Sequence, residues 1–198
     1  MKNELQNELT HKQFTLLGLV AEGDPEYGYQ STYPYMINKK IKERGMEAWT
    51  KIGEMGRSSI YRILKELESI KLITHHTEEV DNRKRKIYSI TELGINVLKK
   101  KIKEVLSNFK GKNDEDFYVA FSLLPLISQE EQTEALTKSI ELISTHIKEL
   151  EEMLEQNSLL PLNVTGLFIH PIEILKTDVK FLNWVIDEIR KGKEGISI

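Results

Sequence analysis

The chain has 198 residues, 39% hydrophobic and 30% charged, with a formal net charge of −3 and no cysteine. That is the composition of a globular chain able to bury a core, as one large domain or two small ones, and it excludes a disulfide framework and thiolate chemistry, as suits a reducing cytoplasm. No apolar run approaches the roughly 18 residues of a membrane span, and MKNELQNELTHKQF has no apolar core of signal-peptide length.

Thr10 and Gln13 have the spacing of a capping box. Phe14, Leu17 and Val20, with Leu16 and Leu19 alongside, predict a first helix ending near Gly23, broken by Asp24-Pro25 and Gly28. It is too apolar for solvent and belongs in a core or at a subunit contact. Ser31 or Thr32 can cap a second helix with Pro34 in its first turn, where a missing N–H costs nothing. Met36, Ile37 and Ile41 are expected to bury, Lys39, Lys40, Lys42 and Arg44 to stay outside, and Gly45 to stop the helix. In the link MEAWTKIGEMG that follows, Trp49 either packs against the module or lines a pocket.

The stretch Met55–Thr91 carries the clearest pattern. Ile60, Ile63 or Leu64, Leu67 and Ile70 recur at three- and four-residue spacing, giving a helix with one buried face. Its opposite face holds Arg57, Ser58, Ser59, Tyr61, Arg62, Lys65 and Ser69, side chains able to reach phosphates and base edges. A strand runs from Leu72 or Ile73 to Glu79 or Val80, Asp81-Asn82 supplies turn chemistry, and Arg83, Lys84, Arg85 and Lys86 lead into a second strand ending near Ile90. A helix with a cationic face followed by a basic-tipped hairpin is the pattern of a winged helix that binds DNA. The distribution of charge agrees: residues 31–104 hold 17 basic and 10 acidic side chains, whereas residues 105–198 hold 9 and 16.

Helix restarts at Thr91-Glu92, with Leu93, Val97, Leu98, Ile102, Val105 and Phe109 on its buried side. GKNDED then marks a domain boundary, so the expected domains are 1–110 and 111–198. Phe117–Ile127 is a short apolar segment stopped or bent at Pro125, and Ser128 with Glu131 forms another capping box. Leu136, Ile140, Ile143, Ile147, Leu150 and Leu154 then keep heptad spacing, a helix broken at Pro161. A second seam follows His170-Pro171: Ile172, Leu175, Val179, Leu182, Ile186 and Ile189. The two seams can pair as an antiparallel hairpin. Ile174, Phe181, Trp184 and Val185 widen the second stripe, and this surplus calls for dimerisation through the carboxyl half, an intrachain bundle being the alternative.

The five histidines, His11, His75, His76, His146 and His170, have no metal-ligand spacing; His75 and His76 are adjacent on a strand and point to opposite faces. No glycine-rich phosphate loop or nucleophile elbow occurs, so neither cofactor, metal nor catalysis is expected. Asn163-Val164-Thr165 fits a glycosylation pattern that has no meaning in a cytoplasmic chain.

From Ser58 to Ile73, SSIYRILKELESIKLI, the chain resembles the PadR family of bacterial winged-helix transcriptional regulators. LLGLVAEGDPEYGY resembles that family's first helix, INKKIKERGMEAWTKIG one branch's approach to the recognition helix, and IYSITELG its second wing strand and the Thr-x-x-Gly opening of the next helix. The carboxyl half is similar to the family's dimerising tail in general shape only. Departures are Asp81-Asn82-Arg83-Lys84-Arg85 in place of Gly-Arg-Pro-Arg at the wing tip, Lys71 in place of a helix-ending glycine, and extra residues before Ile37 and at Glu54–Gly56.

The expected fold is therefore mainly α with a small β-hairpin wing, an amino-terminal winged helix-turn-helix domain and a carboxyl-terminal helical dimerisation domain. The resemblance implies a cytoplasmic homodimeric repressor that sets two recognition helices into major grooves of a palindromic operator, about 34 Å apart. Ser59, Tyr61, Arg62 and Lys65 would face the groove, Arg57 a phosphate, and Arg83, Lys84 and Arg85 the backbone or minor groove. An apolar effector would draw on Trp49, Phe117, Phe121 or Trp184, which core packing explains equally. The competing reading is a protein-interaction scaffold whose winged helix does not bind DNA.

Overall fold

The computed structural model describes residues 8–24, 27–28, 30–48, 50, 52, 55–80, 82–156 and 160–192; Pro25, Trp49 and Asp81 lie outside them. Two units are distinguished, Met1–Lys101 and Ile102–Ser197. The division falls inside a helix that ends at Ser107, ahead of the boundary expected at Gly111.

In the first unit, helix α1 (His11–Ala21) starts where Thr10 Oγ1 accepts the Gln13 N–H and the Gln13 side chain accepts the Thr10 N–H. Every residue from Phe14 to Ala21 is buried. A helix apolar on all sides must be surrounded, and α1 packs against α2 (Pro34–Glu43), α3 (Arg57–Ser69) and strand β3 (Arg83–Ile90). At its end Glu22 has a side chain 1% exposed, and Arg44 Nη1 donates to it at 2.7 Å. Lys40, expected outside, turns inward: its Nζ lies 3.7 Å from Glu22 and donates to the Gly23 carbonyl. Burial lowers the affinity of that amine for its proton, against the opposing pull of Glu22. A buried carboxylate needs partners, and α2 and its C-cap residue Arg44 supply two. Met36 is only half-buried, while Ile37 and Ile41 are buried.

Ser31 and Thr32, expected as caps for α2, instead form a short strand, β1, opposite Ser89 and Tyr88 of β3. Tyr33 occupies the N-cap of α2 without a side-chain cap bond, and Pro34 takes the first helical position. Pairing with a waiting strand edge outranks a local cap. Strand β2 (Ile73–Val80) pairs antiparallel with β3 on its other side, giving the order β1-β3-β2.

Helix α3 buries Ile60, Ile63, Leu64 and Leu67, each contributing on the order of 1.5–3 kcal/mol. Helix α4 (Glu92–Ser107) opens at Thr91, whose hydroxyl donates to the Lys71 and Leu72 carbonyls and accepts the Gly94 N–H at 2.9 Å. Its buried side runs through Gly94, Leu98, Ile102 and Leu106; Leu93, expected inside, is 53% exposed.

In the second unit, Asp114 Oδ1 accepts the Asp116 and Phe117 N–H groups and caps α5 (Glu115–Ser122). A 3-10 turn at Leu124–Leu126 follows, its carbonyls partly satisfied by Gln132 Nε2, which donates to Leu124 O and Ile127 O at 2.9 Å. The Ser128–Glu131 capping box starts α6 (Gln129–Glu155), which packs along α7 (Leu162–Arg190). Helix α7 begins at Leu162 rather than after Pro171, and that proline lies inside it. The ring removes one backbone hydrogen bond at a cost of about 3 kcal/mol. No residue from Leu162 to His170 is buried, whereas Ile172, Leu175, Leu182, Val185, Ile186 and Ile189 are.

Candidate nucleic-acid interface

Side chains three and four apart on α3 separate cleanly into two faces. Opposite the buried stripe, Arg57, Ser58, Tyr61, Arg62 and Lys65 are exposed and Ser59 is half-buried. Tyr61 keeps 52% of its surface in solvent, a large aromatic ring that core packing has left outside. Arg62 pairs with Glu66 one turn on, and Glu66 also accepts Gln13 Nε2 from α1 at 3.2 Å. An exposed pair of this kind is worth at most about 1 kcal/mol, so Arg62 can exchange it for a base edge or phosphate. Arg57 and Lys65 carry no ion pair among the described residues.

Helix α3 is fixed to the hairpin at its carboxyl end. His75 Nδ1 on β2 is hydrogen-bonded to Glu68 Oε1, and its ring lies 5.6 Å from that of Tyr88, its partner across the strands. Burial, followed by the charge of Glu68, raises the Tyr88 phenol above its ordinary value. His76 faces the other way, towards Glu78 at 2.8 Å.

The basic run is not the turn itself. Arg83, Lys84, Arg85 and Lys86 all lie within β3, opposite Val80, Glu79, Glu78 and Thr77. Arg83, Lys84 and Lys86 are exposed and without ion pairs among the described residues. Arg85 is half-buried: its guanidinium sits 4.3 Å from the Tyr33 ring centroid, and Nη1 donates to Tyr27 Oη at 2.9 Å. Tyr27, Tyr33 and the exposed Tyr35 were not singled out from sequence, although the tyrosine density of EYGYQSTYPY was a usable signal.

The other expected sites lie in the second unit. Leu136, Ile143, Ile172, Leu175, Leu182, Ile186 and Ile189 are buried, and Ile140, Ile147, Leu150, Leu154 and Val179 half-buried, all within one chain. The seams therefore face each other, and Leu162, Leu167, Ile169, Ile174, Phe181 and Trp184 are the large apolar side chains that α7 leaves exposed. Phe117 is buried and stacked on Phe109 at 3.8 Å; Phe121 lies 5.9 Å from Phe117 and 5.4 Å from Phe181, and Phe181 lies 6.0 Å from Trp184. This aromatic row runs from the buried Phe117 to the exposed Trp184. An open cleft in the same unit has a different lining, including Lys110, Lys112, Lys138, Leu142 and His146. Among the described residues no group of three or more side chains could hold a metal ion, and no helix is long and apolar enough to cross a membrane.

Helices packed on a central α1, a third helix with an outward cationic face and a three-stranded sheet ending in a basic hairpin define a winged helix-turn-helix protein. Residues 16–100 match the model of the Transcriptional regulator PadR-like family. That segment, less than half of the chain, carries the likeness to PadR-like transcriptional regulators. Among solved structures it is similar to the crystal structure of Bacillus subtilis PadR in complex with operator DNA, at 19% identity over 89% of this chain and 98% of that one, with a TM-score of 0.39. No curated protein matches the sequence.

Proposed function

We propose that this transcriptional regulator binds duplex DNA sequence-specifically as a homodimer, acts as a cytoplasmic repressor, and divides into a winged-helix domain (1–110) and a dimerisation domain (111–198). The observation that carries the reading is the set of exposed cations on α3 and the wing, Arg57, Lys65, Arg83, Lys84 and Lys86, which form no ion pair among the described residues. Cations left outside ion pairs on an exposed helix face and hairpin are what a phosphate backbone attracts. On this reading Ser59, Tyr61, Arg62 and Lys65 read base edges, while Arg57 and the wing hold phosphates. The exposed apolar side chains of α7 support pairing with a second copy, which would set two recognition helices about 34 Å apart on a palindrome. Release would follow an apolar effector bound near Phe121 and Trp184. A saturable change in tryptophan fluorescence on titration with candidate compounds is expected, and its absence would remove the effector from the scheme.

The deciding experiment is retention of random duplex DNA at two salt concentrations, followed by sequencing. Enrichment of a palindrome is expected, with affinity falling at a log–log slope of about −0.9 for each phosphate neutralised. Salt-sensitive retention without enrichment would leave non-specific binding. No retention at either salt would favour the scaffold reading.

A further inference from the structure

Four consecutive cations in β3 do not share one role. Among the described residues, β3 from Arg83 to Ile87 has no β1 partner, and the outer hairpin is the pairing of β3 with β2. A two-stranded ribbon is marginally stable in water, so its orientation depends on side chains that join it to the body of the first unit. Arg85 makes such a joint. Its guanidinium lies over Tyr33 at 4.3 Å and donates to Tyr27 Oη at 2.9 Å. Tyr33 is 9% exposed, meets Tyr27 edge-on at 5.6 Å and stacks with Tyr35 at 6.2 Å. Since Tyr33 is also the N-cap of α2, the contact links the wing to the start of that helix. A planar guanidinium can occupy an aromatic face and donate at its edge at once, and both capacities are taken up inside the unit.

Resting on the DNA-binding reading above, we infer that Arg85 is a positioning residue of the wing. It holds the outer hairpin on Tyr27 and Tyr33 so that Arg83, Lys84 and Lys86 meet phosphates, and makes no DNA contact of its own.

The test uses the full chain and the duplex that the wild type enriches, titrated over a range of salt concentrations. Arg85→Ala and Tyr33→Leu should each lower affinity about tenfold or more and flatten the log–log salt slope by about 2, the loss of several phosphate contacts at about 0.9 each. Adding Lys84→Ala to Arg85→Ala should then cost less than about twofold more, because that contact is already lost. A slope change of about 0.9 for Arg85→Ala, none for Tyr33→Leu and an additive Lys84→Ala would make Arg85 a direct phosphate contact and overturn the inference; so would unchanged affinity. Tryptic cleavage at Lys84 in DNA-free Tyr33→Leu should be faster than in wild type, and equal rates would also overturn it. Should a variant lose its helical circular dichroism, Tyr27→Phe removes only the hydroxyl acceptor and should show a smaller loss in the same direction. If the wild type binds no duplex, the DNA-binding reading falls with the phosphate role, while the cleavage rates still decide whether the brace exists.

Discussion

At Lys71 the backbone enters the left-handed region, with φ 63°. The Leu72 N–H reaches the Leu67 carbonyl at 3.0 Å and the Lys71 N–H reaches Glu68 O at 2.9 Å, a paired pattern that usually stops a helix on glycine. The exit of α3 thus takes this form on a lysine rather than a glycine, at some conformational cost. Lys71→Gly should raise the free energy of unfolding by about 0.5–1 kcal/mol, read by urea denaturation. Gly94 shows the opposite constraint: a Cβ there would lie 2.1 Å from Leu72 O and 2.7 Å from Ile90 Cγ1. Gly94→Ala should destabilise the first unit by about 2–3 kcal/mol, since backbone must shift where the Thr91 hydroxyl ties α4 to the end of α3. The exposed cations give a further residue-scale contrast. Lys84→Ala should weaken every duplex alike and reduce the salt slope by about 0.9, whereas Arg62→Ala should blur sequence preference. Equal losses on all sequences for both would refute that division, and a binding assay against scrambled duplexes distinguishes them.

Individual elements show how local chemistry sets boundaries and partners set faces. Thr10, Asp114 and Ser128 each accept backbone N–H groups at a helix start. The starts at Thr10 and Ser128 were readable because a capping box is a contact between residues three apart, whereas Asp114 read only as part of the GKNDED boundary. Glu131 does more than cap: Lys103 donates to it at 2.8 Å, and this bond, aided by the Ser128 N–H, holds the carboxyl down from 4.5 to about 2. A carboxyl depressed in the folded state stabilises that state above its unfolded value and loses this contribution as pH falls towards 2. Acid titration of stability should therefore show a decline between pH about 4.5 and 2 that is smaller in Glu131→Gln. If both proteins decline identically, the Lys103 pairing has no thermodynamic weight.

Over the whole molecule, charge and apolar surface are distributed unequally along the chain. The cationic excess of residues 31–104 lies in the segment that holds α3 and the wing, and the acidic residues 105–198 hold α5 to α7. Like charge in the second half disfavours non-specific approach to DNA there, which leaves its exposed apolar side chains for a protein surface. Trp184, 57% exposed beside Phe181, is the aromatic most suited to anchor such a contact. On the proposed dimer, Trp184→Asp should weaken self-association by about tenfold or more without loss of helix, measured by sedimentation equilibrium and circular dichroism. Unchanged association would move the proposed subunit contact elsewhere, and a wild type that stays monomeric would remove it.

The winged-helix pattern was legible because each of its signals is short-range or periodic: the α3 stripe from Ile60 to Leu67, the hairpin around Asn82 (φ 58°), and the caps. Composition and spacing likewise located the cationic stretch and the two heptad seams. Four things depended on tertiary structure. Ser31 and Thr32 became a strand because β3 offered a free edge fifty-odd residues later in the chain, and Lys40 turned inward because Glu22 is buried. The seams of α6 and α7 closed on each other because a heptad repeat specifies an apolar partner without saying which chain supplies it. Arg85 joined Tyr27 and Tyr33 rather than the cations beside it in sequence, because strand alternation and long-range packing, which leave no mark at neighbouring positions, decide where a side chain goes.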